Sequence, residues 1–231
     1  MLKALVPLIF GIFLSVSASA GGFTVSSDCL KRLVQGENRM KVSLPAVALK
    51  RLAKAFADKN MSLQEDPVAL LVDYSRSSKE KRAFIVDFKA CDVLSEDYVA
   101  HGGAYILKGK TFIDGDRNGD GKLDSCKNRK GSSKYMTRPG LYVTRGCHQS
   151  GKNWSKVYGD CEGIKLWGLE KSNADAFNAG VVLHELKEMK QNDSIKVMGQ
   201  GCPAFPTGRL KKLVRYGLDN QTLVYVHAPQ C

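Results

Sequence analysis

A mostly-β sandwich or barrel with a few packed helices is the fold class that this sequence predicts, and three observations predict it. Short runs of β-branched and aromatic residues recur between polar turns from residue 68 to the C-terminus. Amphipathic stretches with helical spacing are few. No internal repeat or low-complexity linker divides the chain, so one domain preceded by a helical segment accounts for the residues after the first twenty.

The elements follow in order. Residues 1–20 join a short basic start at Lys3 to an apolar run, Ala4 to Leu14, and end in the small-residue pattern Ala18-Ser19-Ala20. That is the pattern of a signal peptide cleaved after Ala20, with a core shorter than the roughly 20 apolar residues of a spanning helix. No cysteine follows the cleavage point, which argues against a lipoprotein. The expected location is periplasmic or extracellular, without stable membrane insertion.

Residues 21–42 are weakly patterned, with Cys29 as a tether. Ser43 is expected to cap a helix over about 44–59, entered through Pro45 and carrying Leu49, Leu52 and Phe56 on one face. Residues 21–67 are thus a helical N-terminal segment and 68–231 the β domain. Strands are expected at Val68–Val72, Ala83–Val86, Tyr98–Ala100, Leu141–Val143, Ile164–Trp167, Val181–Leu183, Ile195–Val197 and Leu223–Val226. A helix is expected over Thr207 to Tyr216, with Leu210, Leu213 and Val214 inward.

The charge is strongly basic, 35 Lys and Arg against 23 Asp and Glu. Such a balance suits an anionic partner: nucleic acid, a membrane face or an acidic wall polymer. Export makes nucleic acid the least favoured of these.

Seven cysteines in an exported chain predict disulfides, and the odd number leaves one thiol over. Cys202, in Gly199-Gln200-Gly201-Cys202-Pro203-Ala204, is assigned as that thiol, and Cys147 and Cys161 as a bridge across a polar loop. Cys29, Cys91, Cys126 and Cys231 allow three connectivities. His184 closes the apolar run Gly180-Val181-Val182-Leu183 upstream, so a thiol and an imidazole stand at the ends of adjacent elements, as a nucleophile and its base require. The competing assignments are a core histidine and a disulfide half-cystine.

A second motif is Asp114-Gly115-Asp116-Arg117-Asn118-Gly119-Asp120-Gly121-Lys122-Leu123-Asp124. Asp116, Asn118 and Asp120 alternate as in a Ca²⁺ loop; Gly121 takes the turn position, Lys122 offers a carbonyl, and Asp124 follows. Lys127 stands where a bidentate Glu would close the shell. The loop is either a structural Ca²⁺ site or a polar turn built from ordinary turn residues.

The ordered series Val72-Asp73-Tyr74-Ser75, Arg82-Ala83-Phe84-Ile85-Val86-Asp87, Val99-Ala100-His101-Gly102, Gly140-Leu141-Tyr142-Val143-Thr144, Leu166-Trp167-Gly168-Leu169-Glu170, Val182-Leu183-His184 and Gly201-Cys202-Pro203-Ala204 resembles the murein L,D-transpeptidase catalytic domain family. The resemblance implies a β-sandwich or barrel-like catalytic domain acting on peptidoglycan stem peptides. It implies Cys202 as the nucleophile that forms a thioester and expels D-alanine, and His184 as the base. Gly201 would lend its main chain to the oxyanion, and His101, Gly102 and Tyr142 would lie on the substrate side. No cofactor is implied for this chemistry. Gly199 replaces the family's serine and Gln200 its common arginine, which bears on rate and preference rather than on reaction class.

Three functions compete on this reading: transpeptidation to an amine of a second stem, L,D-carboxypeptidase hydrolysis of the same thioester, and a non-catalytic wall-binding module. The acceptor and the oligomeric state stay open at this point.

Overall fold

The computed structural model describes residues 22–58, 60–61, 63–107, 110–148, 162–186 and 201–231, with side chains 104–113 excepted. The expected signal segment, Ile195–Val197, Cys161, Gly199 and Gln200 therefore lie outside the described residues.

β1 (Val68–Asp73), β2 (Ala83–Asp87), β3 (Asp92–Asp97), β6 (Gly140–His148), β7 (Gly163–Gly168), β8 (Val182–Leu186), β9 (Ala204–Pro206) and β10 (Asn220–His227) form one sheet in the order β3-β2-β1-β10-β6-β7-β8-β9. β4 (Ala104–Leu107) and β5 (Lys110–Ile113) make a separate hairpin. Most neighbours are antiparallel; β1 and β10 pair in parallel, Leu70 opposite Val224, and so do β8 and β9. The two ends of the sheet meet where Ala100, just past β3, bridges Ala204 in β9, so the sheet is a nearly closed barrel. This is the mostly-β class that the sequence predicts.

β1 reads as an unbroken apolar run because both its faces are covered. Leu70 and Val72 point to an inner core with Ile85, Tyr142, Leu166, Leu183, Phe205 and Val224. Ala69 and Leu71 point outward, to a second core with Phe84, Phe88 and the two N-terminal helices. Those helices, α1 (Ser27–Gln35) and α2 (Ala46–Ala57), are thus layered on the barrel's outer face.

α1 begins where the Ser26 hydroxyl accepts from the Cys29 amide at 3.1 Å and ends at Gly36 in the left-handed region, φ 77°. α2 buries Leu49, Leu52 and Phe56 as expected, but its N-cap is Pro45, with no side-chain cap, so Ser43 does not play that part. α3 (Arg209–Arg215) turns Leu210 and Leu213 inward.

Cys29–Cys91 staples α1 to the β2–β3 turn, and Cys126–Cys231 ties the loop before β6 to the C-terminal residue. Cys147 is disulfide-bonded as well, while its expected partner Cys161 lies outside the described residues. The strand expected at Tyr98–Ala100 forms earlier, at β3, and Ala100 contributes only the closing bridge. Among the described residues no helix is long and apolar enough to cross a membrane.

Candidate active site

Cys202 is a free, half-buried cysteine two residues before the β9 pairing position at Ala204. β9 runs beside β8 with Ala204 opposite His184, and the His184 amide donates to the Pro203 carbonyl at 3.3 Å. The thiol and the imidazole therefore sit on adjoining chain segments at one edge of the barrel. The Val182 N–H points at the Cys202 sulfur at 3.5 Å, and the sulfur lies 3.9 Å from the Gly180 carbonyl.

Burial pushes the Cys202 thiol above its ordinary value, against the opposing pull of the Val182 N–H and the Arg138 charge. Burial likewise holds the His184 imidazole below its usual range. Both shifts favour the uncharged form of each side chain. Nδ1 of His184 lies 3.1 Å from the Glu185 carbonyl, which can only accept. That contact keeps the proton on Nδ1 and the lone pair on Nε2, the tautomer a general base needs.

Beneath the thiol the backbone is closely packed. Gly201 has φ +100°, and a methyl there would stand 2.7 Å from the Met136 carbonyl. A methyl on Gly102 would run into the Gly201 main chain, so these two glycines let residues 101–102 and 201–202 pass within contact. The Gly102 amide donates to Thr137 Oγ1 at 2.7 Å. His101 is fully buried, its Nδ1 2.8 Å from the Gly102 carbonyl and its ring edge-on to Tyr74 at 5.5 Å between centroids. Burial drives its pKa down to about 3. Tyr142 is buried too, its hydroxyl donating to the Arg138 carbonyl. The structure brings together Cys202, His184, Gly201, His101 and Gly102 around the meeting of β8, β9 and the Ala100 seam, with Tyr142 in the wall.

Sequence reasoning missed Arg138 and Asp175. Arg138 Nε and Nη2 fork onto the Asp175 carboxylate at 2.9 and 3.1 Å, and a methyl on Gly201 would lie 3.4 Å from Nη1. The Arg138 side chain is 10% exposed and that of Asp175 62%. One basic residue among 35 carries no local signature, and only the fold shows which one lies beside Gly201.

The Asp116–Asp124 loop folds on itself through its own side chains. Asp116 accepts from the Gly119 and Gly121 amides at 2.7 and 2.9 Å, Asn118 Oδ1 from Asp120 at 2.9 Å, and Asp120 Oδ1 from Lys122 at 2.8 Å. Asp124 Oδ2 accepts from Arg117 and Asn118 at 2.7 and 3.3 Å. Buried Arg82 fastens the turn through the Gly121 carbonyl at 2.7 Å. Among the described residues no three His, Cys, Asp or Glu side chains are grouped so as to hold a metal ion.

Residues 38–227 match the family model of the L,D-transpeptidase catalytic domain. No curated protein sequence matches. Among solved structures, an L,D-transpeptidase from Xylanimonas cellulosilytica is 13% identical over 86% of this chain and 77% of its own, with a TM-score of 0.36. One from Stackebrandtia nassauensis is 16% identical over 88% and 78%, TM-score 0.37. A Bdellovibrio bacteriovorus protein is 15% identical over 73% of this chain and 51% of its own, TM-score 0.42.

Proposed function

The chain belongs to the L,D-transpeptidase catalytic domain family, and from that premise we propose that it is a cysteine acyltransferase acting on peptidoglycan stem peptides. The observation that carries the reading is the unpaired Cys202 held at the end of β9 beside the strand that bears His184, in a chain whose other described cysteines are all disulfide-bonded.

In the proposed reaction His184 Nε2 takes the thiol proton as Cys202 attacks the carbonyl between the third residue's L-centre and the terminal D-alanine. Main-chain N–H groups at Gly201 and Cys202 stabilise the oxyanion, an arrangement that a side-chain-free residue 201 permits. Collapse breaks the peptide bond, and the imidazolium returns its proton to the departing amine of D-alanine, leaving a thioester. An acceptor amine then attacks the thioester, gives its proton to His184, and regenerates the thiol.

His101, Gly102 and Tyr142 serve in this proposal as the floor and wall of the site. The two buried rings act by shaping it, and Gly102 by its main chain. The proposal includes export through residues 1–20, and a structural Ca²⁺ on the Asp116–Asp124 loop is a separate proposal, tested below.

The test is incubation with purified tetrapeptide-rich muropeptides, followed by mass spectrometry of protein and products, beside Cys202→Ala. An acyl-enzyme and cross-linked dimers that vanish in the variant are expected. Tripeptide alone would make water the acceptor and the protein an L,D-carboxypeptidase. Products that persist in Cys202→Ala, or no product with Cys202 unreactive, would overturn the reading in favour of a wall-binding module.

A further inference from the structure

We propose that Arg138, oriented by Asp175, is the recognition residue for the terminal carboxylate of the donor stem, a specificity determinant beside the nucleophile. The inference rests on the acyl-transfer reading above and adds to it the chemical feature by which the donor is chosen.

One edge of the guanidinium, two of its three nitrogens, is already committed. Nε and Nη2 make parallel bonds to the Asp175 carboxylate, which fixes the plane of the group as a fork does. Nη1 is turned the other way, toward Gly201, where a methyl would lie 3.4 Å from it, and no described acceptor pairs with it. Its N–H groups are therefore presented to the main chain immediately before the nucleophile.

A buried side chain carrying an ion pair to a solvent-exposed carboxylate is an uneven arrangement. Asp175 retains its own hydration, so the pairing orients the guanidinium without neutralising it completely in a partly desolvated site. Tyr142 reinforces the placement by bonding the Arg138 carbonyl from within the core. The nearby side chains of Thr137, Tyr142 and His101 bring no negative charge to the thiol's floor, and burial keeps His101 neutral.

The chemistry of the donor supplies the complement. In a stem ending in D-alanine, the carboxylate carbon is three bonds from the carbonyl carbon under attack, a span of less than about 4 Å from standard bond lengths. A fixed cation one residue from the nucleophile meets that carboxylate when the scissile carbonyl faces the sulfur. A charge-assisted hydrogen bond of this kind is worth about 1.5–3 kcal/mol, or roughly 10- to 150-fold in selectivity. The neutral Gln200 cannot supply such a charge. A stem that ends in an amide, or one already cross-linked through its terminal D-residue, presents no carboxylate and is discriminated against.

The experiment has two arms, run on the purified protein, Arg138→Gln, Arg138→Lys and Asp175→Asn, each checked for a native melting transition. In the first arm kcat and KM are measured for a tetrapeptide stem and its C-terminal amide. The wild type should prefer the free acid by roughly 10- to 150-fold in kcat/KM. Arg138→Gln should abolish the preference, chiefly through KM for the acid. Arg138→Lys and Asp175→Asn should retain part of it.

The second arm needs no turnover. Alkylation of Cys202 by anionic iodoacetate is compared with neutral iodoacetamide by intact mass. The ratio of the two rates should fall about tenfold in Arg138→Gln, in keeping with loss of one charge-assisted contact. An unchanged acid-over-amide preference in Arg138→Gln, or an unchanged alkylation ratio, overturns the proposal. If the wild type turns over neither stem while Arg138 still governs the alkylation ratio, the anion subsite stands and the transpeptidase reading fails. If both stems react equally well in wild type and Arg138→Gln, the subsite fails and the reaction stands. Should Arg138→Gln not fold, Asp175→Asn decides, because an exposed carboxylate can be replaced without opening the core.

Discussion

Ala100 and Ala204 exchange both backbone hydrogen bonds, 2.7 Å from the Ala100 amide and 3.3 Å from the Ala204 amide. This one bridge joins the two ends of an eight-stranded sheet. It also sets the site, because His101 follows Ala100 directly and Cys202 precedes Ala204 by two residues.

Removing one of those bonds should unlatch the barrel at the site. Ala100→Pro deletes the amide that donates at 2.7 Å and, by leaving the Ala204 carbonyl without that donor, is expected to destabilise the fold by about 1–3 kcal/mol. Stem-peptide turnover should fall at least about tenfold, the loss that a displaced reacting group produces. Thermal melts and steady-state rates check both. Full activity on a lowered melting temperature would show that the nucleophile is placed without the bridge.

The thiol–imidazole pair should behave as two neutral groups. Burial raises Cys202 and lowers His184, and both directions favour the uncharged forms near neutrality. Iodoacetamide alkylation of Cys202 should therefore climb with pH and level off only above the ordinary thiol range. The acid limb of kcat/KM, governed by His184 losing its base function on protonation, should lie below pH about 6.5. A flat alkylation plateau from pH 5 to 8 would contradict the geometry-based assignment.

His101 should make the fold acid-sensitive. Its folded pKa is about 3, depressed from an unfolded value near 6.5. Its contribution is thus fully present above pH about 6.5 and is lost as pH falls toward the folded value. Between pH about 6.5 and 5 this one group should give a slope of up to about 1.4 kcal/mol per pH unit. Urea melts of wild type and His101→Phe test this: the variant's stability should be flatter over that window. Equal slopes would mean that another group governs acid unfolding.

The Asp116–Asp124 loop should respond to calcium if its alternating oxygens converge on an ion. A Ca²⁺ concentration 100-fold above the dissociation constant adds about 2.7 kcal/mol, read as a rise in melting temperature over an EDTA control. Asp120→Ala should erase that rise while leaving alkylation of Cys202 unchanged. No shift in the wild type would leave the loop as a polar turn, held by the amide contacts of Asp116, Asn118, Asp120 and Asp124.

Much of the barrel was legible in the sequence because its strands bury side chains locally. Ala83–Val86, Ile164–Trp167 and Leu223–Val226 announce themselves as β-branched or aromatic runs, and the observed strands contain them. α1 was not legible, since its few apolar residues, Leu30, Leu33 and Val34, are too sparse to show a period in a polar segment. β9 escaped notice for its length, three residues ending in proline, which pair only because β8 lies alongside.

For the site, the parity of seven cysteines determined by itself that one thiol is left over, and chain order set Cys202 and His184 as the candidate pair. Those are properties of composition and chain order, and they survive any detail of folding. Only the tertiary structure decided that Arg138 is the cation beside Gly201, that Asp175 holds it, and that Ala100 closes the barrel onto Ala204. Each of these joins residues 37 or more positions apart. A contact at such separation leaves no periodic trace in either segment, because it is set by how the sheet curls and not by which neighbours each residue has along the chain.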